Sequence, residues 1–251
     1  MTFTRTFRLL PVAAAVVLAA GCATVPGEPD PRDPLEGMNR SVYQFNDALD
    51  RAVFTPVAKT YQAVTPVPVR DCVSNFFGNL RDVWSSINFF LQGSVPDGIN
   101  GFGRVLMNTT VGGLGCFDAA ATVGVPRQHN DFGLTLGVWG VSEGPYLVLP
   151  LLGPSTVRDG AGLIVDVNGG VIDHIENVRL RNSLWGVGLL DTRSRLLDAS
   201  EMVDDLALDS YSFIRDAYLQ RRGNTLNSLR GGDAALPDYS VPDYGDDEVT
   251  Q

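Results

Sequence analysis

"FGLTLGVWGVSEGPYLVLPLLGPSTVRDG", from Phe132 to Gly160, is the stretch on which the fold turns. It holds six glycines and three prolines, and Glu143 is its only charge before the closing Arg158–Asp159 pair. Pro145, Pro150 and Pro154 each remove a backbone donor, so no long helix runs through it. It is too apolar for a solvated loop, and it falls short of the ~20 continuous apolar residues of a spanning helix. A hairpin near Thr135 to Leu149 fits the pattern, and strand signals elsewhere are few.

Outward from this stretch the periodicity is helical. Leu35, Met38, Val42, Phe45 and Leu49 recur at spacings of three and four, one stripe of an amphipathic helix. Asp33 suits its N-cap, Pro34 its first position, and Glu36 completes a capping box, with Asn39, Arg40 and Asn46 on a polar side. Pro56 ends this helix or starts a second short one. Pro68 opens a longer helix to about Gly93, whose apolar positions cover more than half the wheel, a sign of burial on two sides. Thr156 and Asp159 form another capping box, and the segment from Asp191 to Arg222 reads as one or two solvated helices. The expected class is all-α.

Between Val83 and Val157 the charges thin to six: Asp97, Arg104, Asp118, Arg127, Asp131 and Glu143. Short glycine-broken helices with wide apolar faces suit one leaflet of a membrane. A closely packed water-soluble core is the competing reading. The formal charge of −10 opposes nucleic acid and opposes adsorption to anionic lipid through a basic patch.

The ends supply an address. Arg5 and Arg8 precede an apolar run, Leu9 to Ala20, of signal-peptide length. Ala-Ala-Gly-Cys22 then reads as a lipobox, although Ala19 stands where such boxes usually carry leucine. The expected divisions are a signal peptide over 1–21, lipidated Cys22 with a Pro-rich tether over 22–32, a helical domain over 33–230, and a disordered acidic tail over 231–251. Cys72 and Cys116 form an even pair that invites a disulfide in an oxidising compartment, and two buried free thiols are the alternative.

The search for covalent chemistry yields little. Gly140–Val–Ser142–Glu–Gly144 matches a nucleophile elbow, but Pro145 and Pro150 deny Ser142 the following helix. His129 and His174 are the two histidines, and both read as surface or capping residues. They form no metal cluster, and no phosphate-binding or dinucleotide fingerprint is present. Asp118 reads as a cap or turn residue. No enzyme activity and no cofactor are expected, with a Ser142-dependent esterase as the remote alternative.

"DPLEGMNRSVYQFNDALD" (33–50) resembles the opening of the VacJ/MlaA family of outer-membrane phospholipid-transport lipoproteins. So do "SNFFGNLRDVWSSINFFLQG" (74–93), "NTTVGGLGCFDAA" (108–120), the stretch from Asp131 to Asp159, and "DSYSFIRDAYLQRR" (209–222). The resemblance implies short amphipathic helices in a ring around a central channel. It places the protein, lipid-anchored through Cys22, in the inner leaflet of the outer membrane on the periplasmic side. The function implied is removal of mislocalised phospholipids from the outer leaflet, maintaining lipid asymmetry. The implied partners are phospholipid, a trimeric porin and a periplasmic lipid carrier, with a structural envelope lipoprotein as the alternative role. On that footing Gly137, Gly140 and Gly144, with Pro145 and Tyr146, are candidates for a mobile hairpin at the channel. Met38, Val42, Phe45, Leu147 and Leu149 are candidates for membrane contact.

Overall fold

The computed structural model describes residues 30–231. The expected signal peptide, Cys22, most of the tether and nearly all of the acidic tail lie outside the described residues.

The first rod is α1 (Glu36–Leu49), which runs through a π-helical turn (Asp50–Phe54) into α2 (Thr55–Val64). Pro56 sits in the first turn of α2, where its missing N–H costs least, and the π turn just before it absorbs the change of register. α3 (Val67–Leu91) follows with Pro68 in its first turn, then α4 (Val95–Thr110) and the short α5 (Ala119–Thr122). After α6 (Phe132–Val138), β1 (Tyr146–Leu149) and β2 (Gly153–Thr156) pair antiparallel, Tyr146 opposite Thr156. α7 (Val157–Gly169), a 3-10 turn (Val171–His174), α8 (Val178–Arg195), α9 (Leu197–Leu206) and α10 (Ser210–Leu229) complete an all-α fold with one small ribbon. No helix among the described residues is long and apolar enough to cross a membrane.

Side-chain caps fix most of the helix starts in the second half. Asp131 accepts from the Leu134 amide, Thr156 from Asp159, Asn177 from Leu180 and Asp209 from Tyr211, each satisfying an orphan donor. The Asp131 cap explains why the hairpin lies later than expected. It commits Phe132–Val138 to helix, so Thr135 belongs to α6 and the strands occupy 146–156. The Thr156–Asp159 cap is as expected. Asp33 is not a cap: α1 begins with Leu35 at that position and no side-chain bond. Its carboxylate instead accepts from Asn39 Nδ2 at 2.7 Å and from the Tyr211 hydroxyl, deep in the protein.

Asn39 and Asn46, one heptad apart on α1, grip the ribbon. Asn39 Nδ2 donates to the Tyr146 carbonyl at 3.0 Å while its Oδ1 accepts from the Val148 amide at 2.9 Å. Asn46 repeats this on the Leu149 carbonyl and the Leu151 amide, at 3.0 and 2.8 Å. A planar amide with one acceptor and two donors thus replaces the neighbouring strand that β1 lacks on this edge. Val42, between them, is buried with Tyr146, Val148, Tyr211 and Leu219 in the apolar cluster. Val42 therefore does not face the membrane, because the side of α1 that carries it is the side that grips β1.

The polarity of the molecule runs inside out. Among the described residues 20 polar or charged side chains are buried against 12 apolar ones, while 36 large apolar side chains are exposed. α4 shows the pattern within one helix: Val95, Ile99, Phe102 and Leu106 form an exposed stripe, and Arg104 and Asn108 point inward. Charge-poor helices can bury polar groups only if these find one another. Arg104 reaches Asp118 at 2.8 Å, Arg127 reaches Asp82 at 3.0 Å, and Asn108 accepts from the Ala120 amide at 2.9 Å. This network and the Cys72–Cys116 disulfide, with its Cα atoms 4.1 Å apart, tie the loops after α4 back onto α3.

Candidate functional site

A cavity of about 610 Å³ lies within the fold, walled by pieces distant in sequence. α3 contributes Phe77, Leu80, Arg81 and Trp84, and the loop before α6 contributes His129 and Asp131. Leu149 and Leu152 come from the ribbon, Leu163 and Asp166 from α7, Leu184 and Trp185 from α8, and Tyr218, Arg221 and Arg222 from α10. Its volume falls within the ~300–1,000 Å³ of ligand pockets, and its mix of apolar wall and few polar groups suits an amphipathic molecule.

The aromatic walls are held by carboxylates. Trp84 Nε1 donates to Asp166 Oδ1 at 2.7 Å, and the same oxygen accepts from the Phe132 amide at 2.8 Å. Burial nevertheless pushes the Asp166 carboxyl up, the two hydrogen bonds only partly opposing it. Gly169 lets the Trp84 ring lie flat against the end of α7, since a Cβ there would stand 2.4 Å from Cη2. Trp185 Nε1 donates to Asp173 at 3.1 Å.

Arg222 is the hub of the opposite wall. It donates to both Asp131 oxygens, at 2.5 and 3.0 Å, and to Asp159 Oδ2 at 2.9 Å. Burial works against its charge, but the two carboxylates outweigh burial and hold the guanidinium protonated. Tyr218 adds its hydroxyl to Asp159 at 2.7 Å. His129 is shifted the other way: burial, and then the nearby Arg81 charge, push its imidazole below the usual histidine range.

The five glycine-hairpin candidates are absent from this wall. Gly137 is buried in α6, where a Cβ would meet Leu226 Cδ1 at 2.9 Å, so it permits close packing of α6 on α10. Gly140 and Gly144 adopt φ of +95° and +71°, turning the chain between α6 and β1. A proline at 140 would break this turn, because its ring holds φ near −65°. Pro145 is exposed, and Tyr146 is fully buried in the apolar cluster, so neither contacts the cavity. The cavity meets the other end of the same tract, at Leu149 and Leu152. Among the membrane-contact candidates Phe45 is exposed, whereas Met38, Leu147 and Leu149 are half-buried. Ser142 is exposed and makes no hydrogen bond to a histidine among the described residues. No cluster of three metal-ligating side chains occurs among them.

Sequence reasoning passed over Arg81, Arg221, Arg222, Asp131 and Asp166. A signal existed: where charges are scarce and the chain is apolar, each one left demands a partner. Arg104, Asp118, Arg127 and Asp131 all prove to be ion-paired.

The fold is shared with known proteins. Residues 31–225 match the model of the family described as MlaA lipoprotein. The intermembrane phospholipid transport system lipoprotein MlaA of Escherichia coli K12 is 36% identical over 219 residues, covering 85% of this chain and 86% of that one. Its Haemophilus influenzae counterpart is 29% identical over 254 residues, covering 95% and 97%. A solved structure described by the words "Structural basis for maintenance of bacterial outer membrane lipid asymmetry" superposes with a TM-score of 0.68 at 35% identity, covering 78% of this chain and 99% of that one. This chain belongs to the MlaA lipoprotein family.

Proposed function

We propose that the protein is an outer-membrane lipoprotein that takes mislocalised phospholipids out of the outer leaflet and passes them, through the central cavity, to a periplasmic carrier. The single observation that carries this reading is the inverted polarity. A body with an apolar exterior and a polar, partly hollow interior suits a lipid surround, since lipid tails cover the outside at no hydrophobic cost. Transfer of a phospholipid then requires a polar path for the head group, because a bare ion entering hydrocarbon costs several kcal/mol even after relaxation. The cavity offers such a path beside an apolar wall for the chains. Cys22 supplies the lipid anchor, the inner leaflet of the outer membrane is the seat, and a trimeric porin is the neighbour that the family reading implies. No covalent step is involved: the lipid leaves as it arrived.

The test is to fill the cavity. Gly188 lies on its α8 wall, where an added Cβ would come 3.2 Å from the Phe77 ring, and Leu163 faces it from α7. Leu163→Trp narrows the passage from a partly open position. In cells lacking the wild-type gene, this variant should accumulate to normal levels yet leave surface phospholipid, labelled by a membrane-impermeant amine reagent, above the wild-type level. Full restoration of asymmetry by a variant whose cavity is closed would overturn the reading.

A further inference from the structure

The charges in the cavity wall do not balance locally. Its four carboxylates are all engaged: Asp131 and Asp159 by Arg222, Asp166 by Trp84 and the Phe132 amide, Asp173 by Trp185. Arg81 and Arg221 share the wall, yet neither makes an ion pair among the described residues. His129 lies on the same wall, and Arg127 stands close by on Asp82. The imidazole reports its neighbours: burial first and Arg81 next oppose its proton, Asp82 favours it, and Arg127 and Arg221 oppose it more weakly. Arg81, Arg221 and His129 are solvent-exposed at the cavity wall, and the two guanidinium groups carry donors that no carboxylate within ion-pair distance occupies, so they are open to an arriving anion.

Resting on the reading of the cavity as a phospholipid path, we propose that Arg81 and Arg221, with His129, form a seat for the phosphodiester of a glycerophospholipid head group. Guanidinium groups suit this anion because their planar fork donates two parallel hydrogen bonds to phosphate oxygens. Leu80, Trp84, Leu163 and Leu184 on the same wall provide the apolar surface for the chains. A free phosphate ion would use the same guanidinium chemistry but gain nothing from that surface. Arg222 does not take part, since its donors are already committed to Asp131 and Asp159.

The experiment uses the full-length lipoprotein in detergent, stripped of co-purifying lipid. Binding of fluorescent phosphatidylglycerol is compared with that of a diacylglycerol carrying the same chains and label, and inorganic phosphate is titrated separately. Wild type should prefer the phospholipid by roughly tenfold or more, as expected for charge-assisted contacts. The double variant Arg81→Gln, Arg221→Gln should lose this preference and bind both lipids as wild type binds diacylglycerol. Arg81→Lys, Arg221→Lys keeps the charge without the fork and should recover part of it. Because neither arginine is ion-paired, both variants should keep the wild-type circular dichroism and melting point.

A preference retained in the glutamine variant overturns the seat while leaving the lipid-path reading intact. If wild type binds neither lipid, that reading fails and the seat with it. Tight binding of inorganic phosphate, unaffected by either lipid, would assign the cluster to free phosphate and also overturn the proposal.

Discussion

Asn39 shows how one side chain can hold a fold together when apolar burial is scarce. It has no solvent exposure, and its amide is fully committed to Asp33, the Tyr146 carbonyl and the Val148 amide. Asn39→Ala takes this partner from the Tyr146 carbonyl and the Val148 amide, each costing ~1–3 kcal/mol, while Asp33 keeps the Tyr211 hydroxyl, so a total loss of about 3 kcal/mol is expected in denaturant titration. Asn46→Ala touches a more exposed part of the ribbon and should cost about 1 kcal/mol, because water can replace the amide there. Equal losses at the two positions would contradict this ranking. The sequence set both asparagines on a polar side apart from the stripe of Val42, whereas the structure puts Asn39 and Asn46 on the same inward face as Val42, against β1. A period of 3.6 reports which residues share a face, not whether the face is wet. The same gap hid Arg222, whose carboxylate partners lie 63 and 91 positions away in the chain, and Arg81, which shares a wall with Arg221 only once the chain is folded.

At the scale of elements, two ties are open to measurement. The Cys72–Cys116 bridge, at a sequence separation of 44, pins the loop after α4 to α3. Chain entropy assigns such a loop about 4 kcal/mol, so Cys72→Ser, Cys116→Ser should melt well below wild type, and reductant should lower the melting point of wild type alone. The second tie joins α10 to α1 through Arg40 and Asp209, 2.6 Å apart. The Arg40 hydrogen bond holds the Asp209 carboxyl at about 2, below its usual value near 3.8. A carboxyl with a lowered folded pKa stabilises above its unfolded pKa, and that contribution fades as pH falls from about 4 towards 2. Asp209 is partly exposed, so the effect is modest. Asp209→Asn should therefore be less stable than wild type at pH 6, with the difference shrinking as acid is added; a constant difference down to pH 2 would count against the pair. The elements themselves were largely legible in the sequence, because Pro68, Thr156, Asp159 and the three-and-four spacing are local signals. The hairpin was misplaced by about ten residues, since alternation in "LTLGVW" competed with a cap at Asp131 whose strength only the helix reveals.

For the whole molecule the decisive matter is which solvent the exterior meets. α4 displays Ile99 and Leu106 at 60% and 66% exposure, one turn apart from Phe102 on the same stripe. In water such a stripe would be tolerated singly but not as part of a surface carrying 36 exposed large apolar side chains. The lipid anchor expected at Cys22 would mask any contribution of this surface, so the test begins with Cys22→Ser behind a cleavable secretory signal peptide without a lipobox in place of residues 1–21, which removes the acylated thiol and the apolar leader together. That variant should stay on the membrane through its apolar body alone. Adding Ile99→Glu and Leu106→Glu places two charges where tails are expected. A charge at the bilayer centre costs roughly 2.5–3.5 kcal/mol, and less near the interface. Even about 1 kcal/mol at each position would move the partition by more than tenfold, since 1.4 kcal/mol is a factor of ten. The triple variant should thus appear in the soluble periplasmic fraction with its helical content unchanged, because neither side chain packs inside. Release of the single Cys22→Ser variant, or retention of the triple variant, would mean that the exterior is not the surface that seats the protein. The apolar stripe would then have to be explained by contact with another protein.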